Sequence, residues 1–155
     1  MNQTIIERLA AKGLDLPKAS SPAANYVPYV ISHSMLYISG QLPLVNGSIQ
    51  VAGKLGDDID LDTGVKAAEI CAINILGCAN AALEGAMERI TRVVKIQGFV
   101  ASTPDFVDQH LVINGASNFL VEILGERGRH ARAAVGMSAL PMNAAVEVDC
   151  LMQIA

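Results

Sequence analysis

The sequence predicts an α+β fold, with two main helices packed on one face of a mixed β-sheet. Two long segments carry apolar residues at three-to-four spacing, and several shorter ones alternate apolar with polar residues. Their order along the chain, ββ(β)αβαββ, gives α+β and places both helices in one layer against the sheet.

The elements follow in order. Thr4 to Lys12 sets Ile5 and Leu9 at helical spacing and stops at Gly13, so it reads as a short helix. Leu16 to Ala24 is a Pro/Ser/Ala linker. Tyr29 to Ser34 and Met35 to Gln41 read as two strands with a turn near His33-Ser34, and Asn46-Gly47 favours a tight turn before a short strand from Ser48 to Ala52. The acidic stretch Asp57 to Asp62 is loop-like and offers Asp62 or Thr63 as a cap for the next helix. That helix, Gly64 to Glu84, is the longest in the chain, and its many alanines allow it to lie close to a sheet. Gly85 ends it, and Ile90 to Ala101 is a strand. Thr103-Pro104-Asp105 starts a second helix, from about Phe106 to Leu124, closed by Gly125. A loop, Glu126 to His130, leads to a strand from Arg132 to Ser138. Leu140-Pro141-Met142-Asn143 is a turn that joins it to the last strand, Ala144 to Ile154.

Composition narrows the function classes. With 155 residues, 52 % of them hydrophobic, there is ample material for the core of one domain spanning 1–155. Only 4 % are aromatic, so that core is built from Ala, Val, Ile, Leu and Met. A net charge of -4 and a pI near 5.2 supply no basic footprint for a phosphate backbone, which argues against a nucleic-acid partner. Cys71, Cys78 and Cys150 are odd in number and show no metal-ligand clustering, so they read as free thiols in a reducing compartment. No basic leader precedes an apolar stretch, and no apolar run reaches the roughly 20 residues that span a bilayer, so the expected location is cytoplasmic with no membrane partner.

The last quarter of the chain carries the strongest functional signal. Arg132 and Glu147 interrupt otherwise apolar strand-like runs, and a buried strand has no local reason to hold either. Val146, Val148, Cys150 and Met152 alternate against Glu147, Asp149 and Leu151, so Glu147 points away from the two valines. Arg132 and Glu147 meet only if the polar faces of their strands line a shared cleft; otherwise both are edge charges in water.

Arg132-Ala133-Ala134-Val135-Gly136, followed by Leu140-Pro141 and Val146-Glu147-Val148-Asp149, resembles the C-terminal signature of the RidA/YjgF family of reactive-intermediate deaminases, also labelled endoribonuclease L-PSP. Three more segments agree in order: Pro28-Tyr29, Leu36-Tyr37-Ile38-Ser39-Gly40-Gln41, and Asp105-Phe106 with Val112-Ile113-Asn114. The matches run from about residue 26 to the end. Residues 1–25 and about 44–60 resemble an N-terminal extension and an insertion typical of a longer subgroup.

The resemblance implies a chorismate-mutase-like fold assembled as a homotrimer, with clefts between subunits. It implies that Arg132 anchors a substrate carboxylate through paired guanidinium hydrogen bonds. Glu147 is implied to activate water against an imine carbon and to help protonate the departing nitrogen, which needs a partly desolvated carboxylate. Tyr29 and Asn114 would border the pocket, and Ser39 and Gly40 would form a strand edge whose backbone passes close to the ligand. The implied reaction is hydrolysis of a 2-imino acid, the tautomer of an enamine, to a 2-oxo acid and ammonia, with no cofactor and no metal. The implied partners are a carboxylate-bearing imine or 2-oxo acid and further copies of the chain.

Two positions depart from the pattern. Archetypal members carry a cysteine where this chain has Ala134, and often a glutamate at the position of Gly136, which changes the pocket wall. Without the resemblance, Tyr29 reads equally as a packing residue at a strand start and Asn114 as a solvated or capping helix residue. His33, His110 and His130 read as turn, helix-surface and loop residues, and Asp57, Asp58, Asp60 and Asp62 as a solvated acidic loop. Two other functions stay open: a non-catalytic trimeric protein that binds a small 2-oxo acid, and an endoribonuclease.

Overall fold

The computed structural model describes residues 3–19 and 25–155, so residues 20–24, the last part of the expected linker, lie outside the described residues. Five strands form the main sheet: β1 (Tyr29–Ser32), β2 (Met35–Gln41), β5 (Ile90–Ala101), β6 (Ala131–Met137) and β7 (Val146–Ile154). Their spatial order is β1-β2-β7-β5-β6. Every neighbouring pair is antiparallel except β5 and β6, which are parallel because α3 (Gln109–Leu124) supplies the long crossover that a parallel pair requires. β3 (Leu44–Val45) and β4 (Ser48–Ile49) form a small hairpin about Asn46 and Gly47, both at positive φ.

The last two strands are joined by a turn, but they are not neighbours. β5 lies between them, and the connecting segment, with its 3-10 turn Pro141–Asn143, crosses the end of that strand. A sequence shows that a turn is present; it does not show which strands occupy the middle of the sheet.

α3 and α2 (Leu61–Ala82) cover one face. Along α2, Ala67, Ala68, Cys71, Ala72, Ile75, Leu76, Cys78 and Ala79 are buried, and small side chains let the helix sit close to both sheet and partner helix. A Cβ on Gly115 of α3 would overlap the backbone carbonyl of Val65, and one on Gly98 of β5 would overlap the Ile113 side chain. α2 meets the length and hydropathy of a bilayer span, contrary to the expectation that no apolar run does so. Half of its most apolar window is buried in the core, and that burial accounts for its composition.

Two helix starts differ from expectation. α2 begins at Leu61, and its cap is Asp60 rather than Asp62 or Thr63: the Asp60 carboxylate accepts from the Thr63 backbone N–H at 2.7 Å. This bond holds the Asp60 pKa below its ordinary value. α3 begins at Gln109, three residues later than expected, because the chain first turns with Phe106 N–H donating to the Thr103 carbonyl. The first helix, α1 (Ile5–Ala11), has a full capping box between Thr4 and Glu7 and docks through buried Ile5 and Leu9. All three cysteines are free and buried, and burial raises each thiol pKa, that of Cys78 to about 11.

Among the described residues the other sheet face has no covering layer. Tyr37, Lys95, Gln97, Phe99, Glu147, Asp149, Leu151 and Val135 alternate with core residues along their strands and point to that side.

Candidate functional site

Arg132 lies on β6, an edge strand, beside Ile96 of β5. Laterally paired residues share a face, and Ile96 is fully buried under the helices, so the Arg132 side chain rises on the helix side. It meets one face of α3 at residues spaced four and three apart. Nη1 donates to Asn114 Oδ1 at 2.9 Å and to Ser117 Oγ at 3.1 Å, and Nη2 donates to the His110 carbonyl at 3.1 Å. All three acceptors are neutral. Among the described residues no carboxylate pairs with this guanidinium, so its charge faces outward uncompensated.

Behind Ser117 stands His130. Its Nε2 is 2.9 Å from Ser117 Oγ, and its Nδ1 is 2.6 Å from the Gly128 carbonyl. A carbonyl only accepts, so Nδ1 carries the proton and Nε2 of the neutral ring accepts. Burial lowers the His130 pKa; the Gly128 bond raises it in part, and the Arg132 charge lowers it further.

Glu147 sits beside Phe99, on the face without helices. Pairing between β2 and β7 slips between Ile38 opposite Cys150 and Gln41 opposite Val148, and Ser39-Gly40 forms the resulting bulge. The Glu147 carboxylate lies against Gly40, where any Cβ would overlap Oε1. Ser39 is tied down by its N–H to the Pro28 carbonyl at 2.9 Å and its hydroxyl to the Val27 carbonyl at 2.8 Å. Glu147 has no hydrogen-bond or ion-pair partner among the described residues. Partial burial raises its pKa, with a smaller contribution from the Asp149 charge. Burial raises the Asp149 pKa as well, against the opposing pull of Gln97 and Lys95.

These placements separate the expected site into two halves. Ser39 and Gly40 on β2 and Glu147 on β7 form one. Tyr29 belongs to the same end of the sheet but pairs with Ile38 and packs, half-buried, on the helix side. Arg132, Ala134 and Asn114 form the other half, at β6 and α3. Arg132 and Glu147 therefore do not share a polar cleft within one chain: they project from opposite faces, because β5 residues 96 and 99, an odd number apart, stand between them in register. Ser39-Gly40 lies just past the last β1–β2 pair, where the bulge opens β2 locally. Ser117 has no place in the sequence reading, and His130, read there only as a loop residue, is the residue that bonds to it. Their only signals were spacing, Ser117 three residues after Asn114 and His130 two before Arg132.

Among the described residues no group of three His, Cys, Asp or Glu side chains gathers as metal ligands. Asp58 accepts from the Lys54 N–H and Asp60 caps α2, so these two shape the acidic loop. Two concavities are lined by other residues: one of about 380 Å³ by Pro17, Lys18, Gln41 and Asn74 among others, and one of about 410 Å³ by Lys54, Ser102, Gln109 and Gly136 among others.

The family described as "YjgF/chorismate mutase-like, putative endoribonuclease" matches residues 6–154. The chain belongs to the RidA/YjgF family. This RidA/YjgF chain is 55 % identical to Atu1372 from Agrobacterium tumefaciens, a protein of unknown function, with a TM-score of 0.92 over 97 % of this chain and 92 % of that one. Protein TCP17 of Trypanosoma cruzi is 44 % identical over 151 residues, covering 97 % of this chain and 94 % of TCP17. RidA from the Antarctic bacterium Psychrobacter sp. is 26 % identical, with a TM-score of 0.61 over 88 % of this chain and 94 % of that one. The two solved structures share the fold of this chain, a mixed sheet with its helices on one side.

Proposed function

We propose that this chain hydrolyses reactive 2-imino acids to 2-oxo acids and ammonia at sites formed between the subunits of a homotrimer. The observation that carries this reading is the state of the two charged groups. Arg132 is clamped by neutral acceptors and faces outward with its charge unpaired, while Glu147 is an unpartnered, partly desolvated carboxylate.

A guanidinium has five N–H donors, and three are engaged here, which leaves Nε–H and the second Nη2–H for a substrate carboxylate. Glu147 with a raised pKa takes a proton from water as the water oxygen bonds to the imine carbon. That proton passes to nitrogen and gives a carbinolamine; Glu147 then takes the proton of the new hydroxyl and delivers it to the amino group, so that the C–N bond breaks and ammonia leaves as the carbonyl forms. Because the C=N carbon is already electrophilic, orientation plus acid-base help of about 10² to 10⁴ in rate suffices. The Arg132 half and the Glu147 half lie on opposite faces of one sheet, the first at the β6 edge and the second across β2 and the central strand β7. A head-to-tail contact that seats the β6 edge of one copy against the β1–β2 end of the next unites them, and such contacts close into a ring. The reaction consumes only the imine and water. The free, buried thiols suit a reducing compartment, and a cytoplasmic location belongs to the same reading.

The test is an imine-hydrolysis assay over imines generated from several amino acids. Wild-type protein accelerates decay of at least one. Arg132→Ala abolishes that acceleration and weakens 2-oxo acid binding by about 2 to 5 kcal/mol. Glu147→Gln keeps most of the binding and loses turnover. Binding of a 2-oxo acid without turnover of any imine would instead select the non-catalytic binder, which needs the same arginine. RNA cleavage insensitive to 2-oxo acid would select the endoribonuclease, a reading that the acidic charge disfavours.

A further inference from the structure

We propose that Ser117 and His130 are positioning residues that fix the orientation of the Arg132 guanidinium, and so of the carboxylate it holds; this inference rests on Arg132 being the carboxylate anchor. An arginine on an edge strand has a long side chain and several rotamers, and one acceptor does not settle its plane. Asn114 Oδ1 and the His110 carbonyl supply two fixed acceptors. The third, Ser117 Oγ, is ambivalent, since a hydroxyl can turn its proton toward the guanidinium and repel it.

His130 removes that ambiguity. The Gly128 carbonyl takes the Nδ1 proton, so Nε2 takes the Ser117 proton, and the lone pairs of Ser117 are left facing Arg132 Nη1. The far end of this chain of bonds is also fixed. Gly128 packs on the last turns of α3 so closely that a Cβ there would overlap the Leu120 carbonyl. Orientation thus passes from the α3 backbone through Gly128, His130 and Ser117 to the guanidinium. Burial keeps the ring neutral near neutral pH, and Arg132 is the charged group acting on it. His130 lies half-buried with both nitrogens engaged, which a residue serving only as loop filler does not require.

The test compares His130→Phe, which keeps a ring without an acceptor, with His130→Gln, which returns an acceptor near the Nε2 position, and with Ser117→Ala. Titration with 2-oxobutanoate in a calorimeter should show affinity about tenfold weaker for His130→Phe and Ser117→Ala, the loss of one hydrogen-bond partner oriented toward a charged group. His130→Gln should recover most of the affinity. The double variant Ser117→Ala/His130→Phe should be no weaker than the weaker single one, since both break one relay. For a turned-over imine, KM should rise about as much as Kd while kcat changes less. Nitrogen-15 shifts should place the His130 proton on Nδ1. Wild-type affinity in both His130→Phe and Ser117→Ala, or a proton on Nε2, overturns the positioning role while the anchor reading stands. Failure of the wild-type chain to bind 2-oxobutanoate or turn over any imine overturns the anchor reading and this inference with it.

Discussion

Glu147 is poised by its neighbours rather than by its own sequence position. Gly40 leaves the space its carboxylate occupies, and partial burial raises its pKa. As a general base it must be ionised, so kcat/KM should fall on the acid side with a midpoint above the ordinary glutamate value of 4.5, and Glu147→Gln should erase that limb from a pH–rate profile. Stability carries the opposite mark of the same shift. The folded chain holds this proton more tightly than the unfolded chain, so its contribution is present below the unfolded value and is lost as pH rises through the raised folded one. Glu147→Gln should therefore melt higher than wild type at neutral pH and lose that advantage near pH 4, which thermal denaturation at the two pH values would check. Gly40→Ala should leave the melting temperature nearly unchanged, because the atom it meets ends a flexible side chain. It should depress turnover by moving the carboxylate, in an assay of the purified variant.

At the scale of elements, the site depends on how closely α3 is held. Its face carries His110, Asn114 and Ser117 to Arg132, and its opposite side leans on α2 through Gly115. A side chain at Gly115 meets backbone rather than a movable tip, so the helices must separate. Gly115→Ala should cost about 1 to 3 kcal/mol in urea unfolding and weaken 2-oxo acid binding in whatever fraction stays folded. The β6 edge has the complementary role. Because β5 holds Arg132 by parallel pairing alone, its outer side is open to another subunit.

At the scale of the molecule, one helical layer covers one face of a five-stranded sheet, and the other face presents Tyr37 at 49 % and Val135 at 44 % exposure beside the half-buried Phe99 and Leu151. Val30 and Ile31 on β1 are also open, so both sheet edges carry apolar contacts suited to a ring of identical copies. Light scattering should return three times the 16.3 kDa chain mass at micromolar concentration. Val135→Asp should shift that mass toward one chain while far-UV circular dichroism persists; a wild-type monomer would sink the assembly and the interfacial site together.

Local chemistry is what the sequence determined by itself. Periodicity set β5 from Ile90 to Ala101 to the residue, Asn46-Gly47 marked its hairpin, Gly13 and Gly125 marked helix ends, and the alternation about Glu147 assigned that side chain to the face opposite Val146 and Val148. These features depend on residues within a few positions of one another. The cap of α2 moved from Asp62 or Thr63 to Asp60 because several acidic residues compete within one turn and only backbone geometry selects among them. Strand order, the odd offset in register that puts Arg132 and Glu147 on opposite faces, and the Ser117–His130 bond behind Arg132 were decided by tertiary structure alone. Each joins segments distant along the chain or from different elements, and hydrophobic spacing within a segment carries no record of which segment will lie beside it.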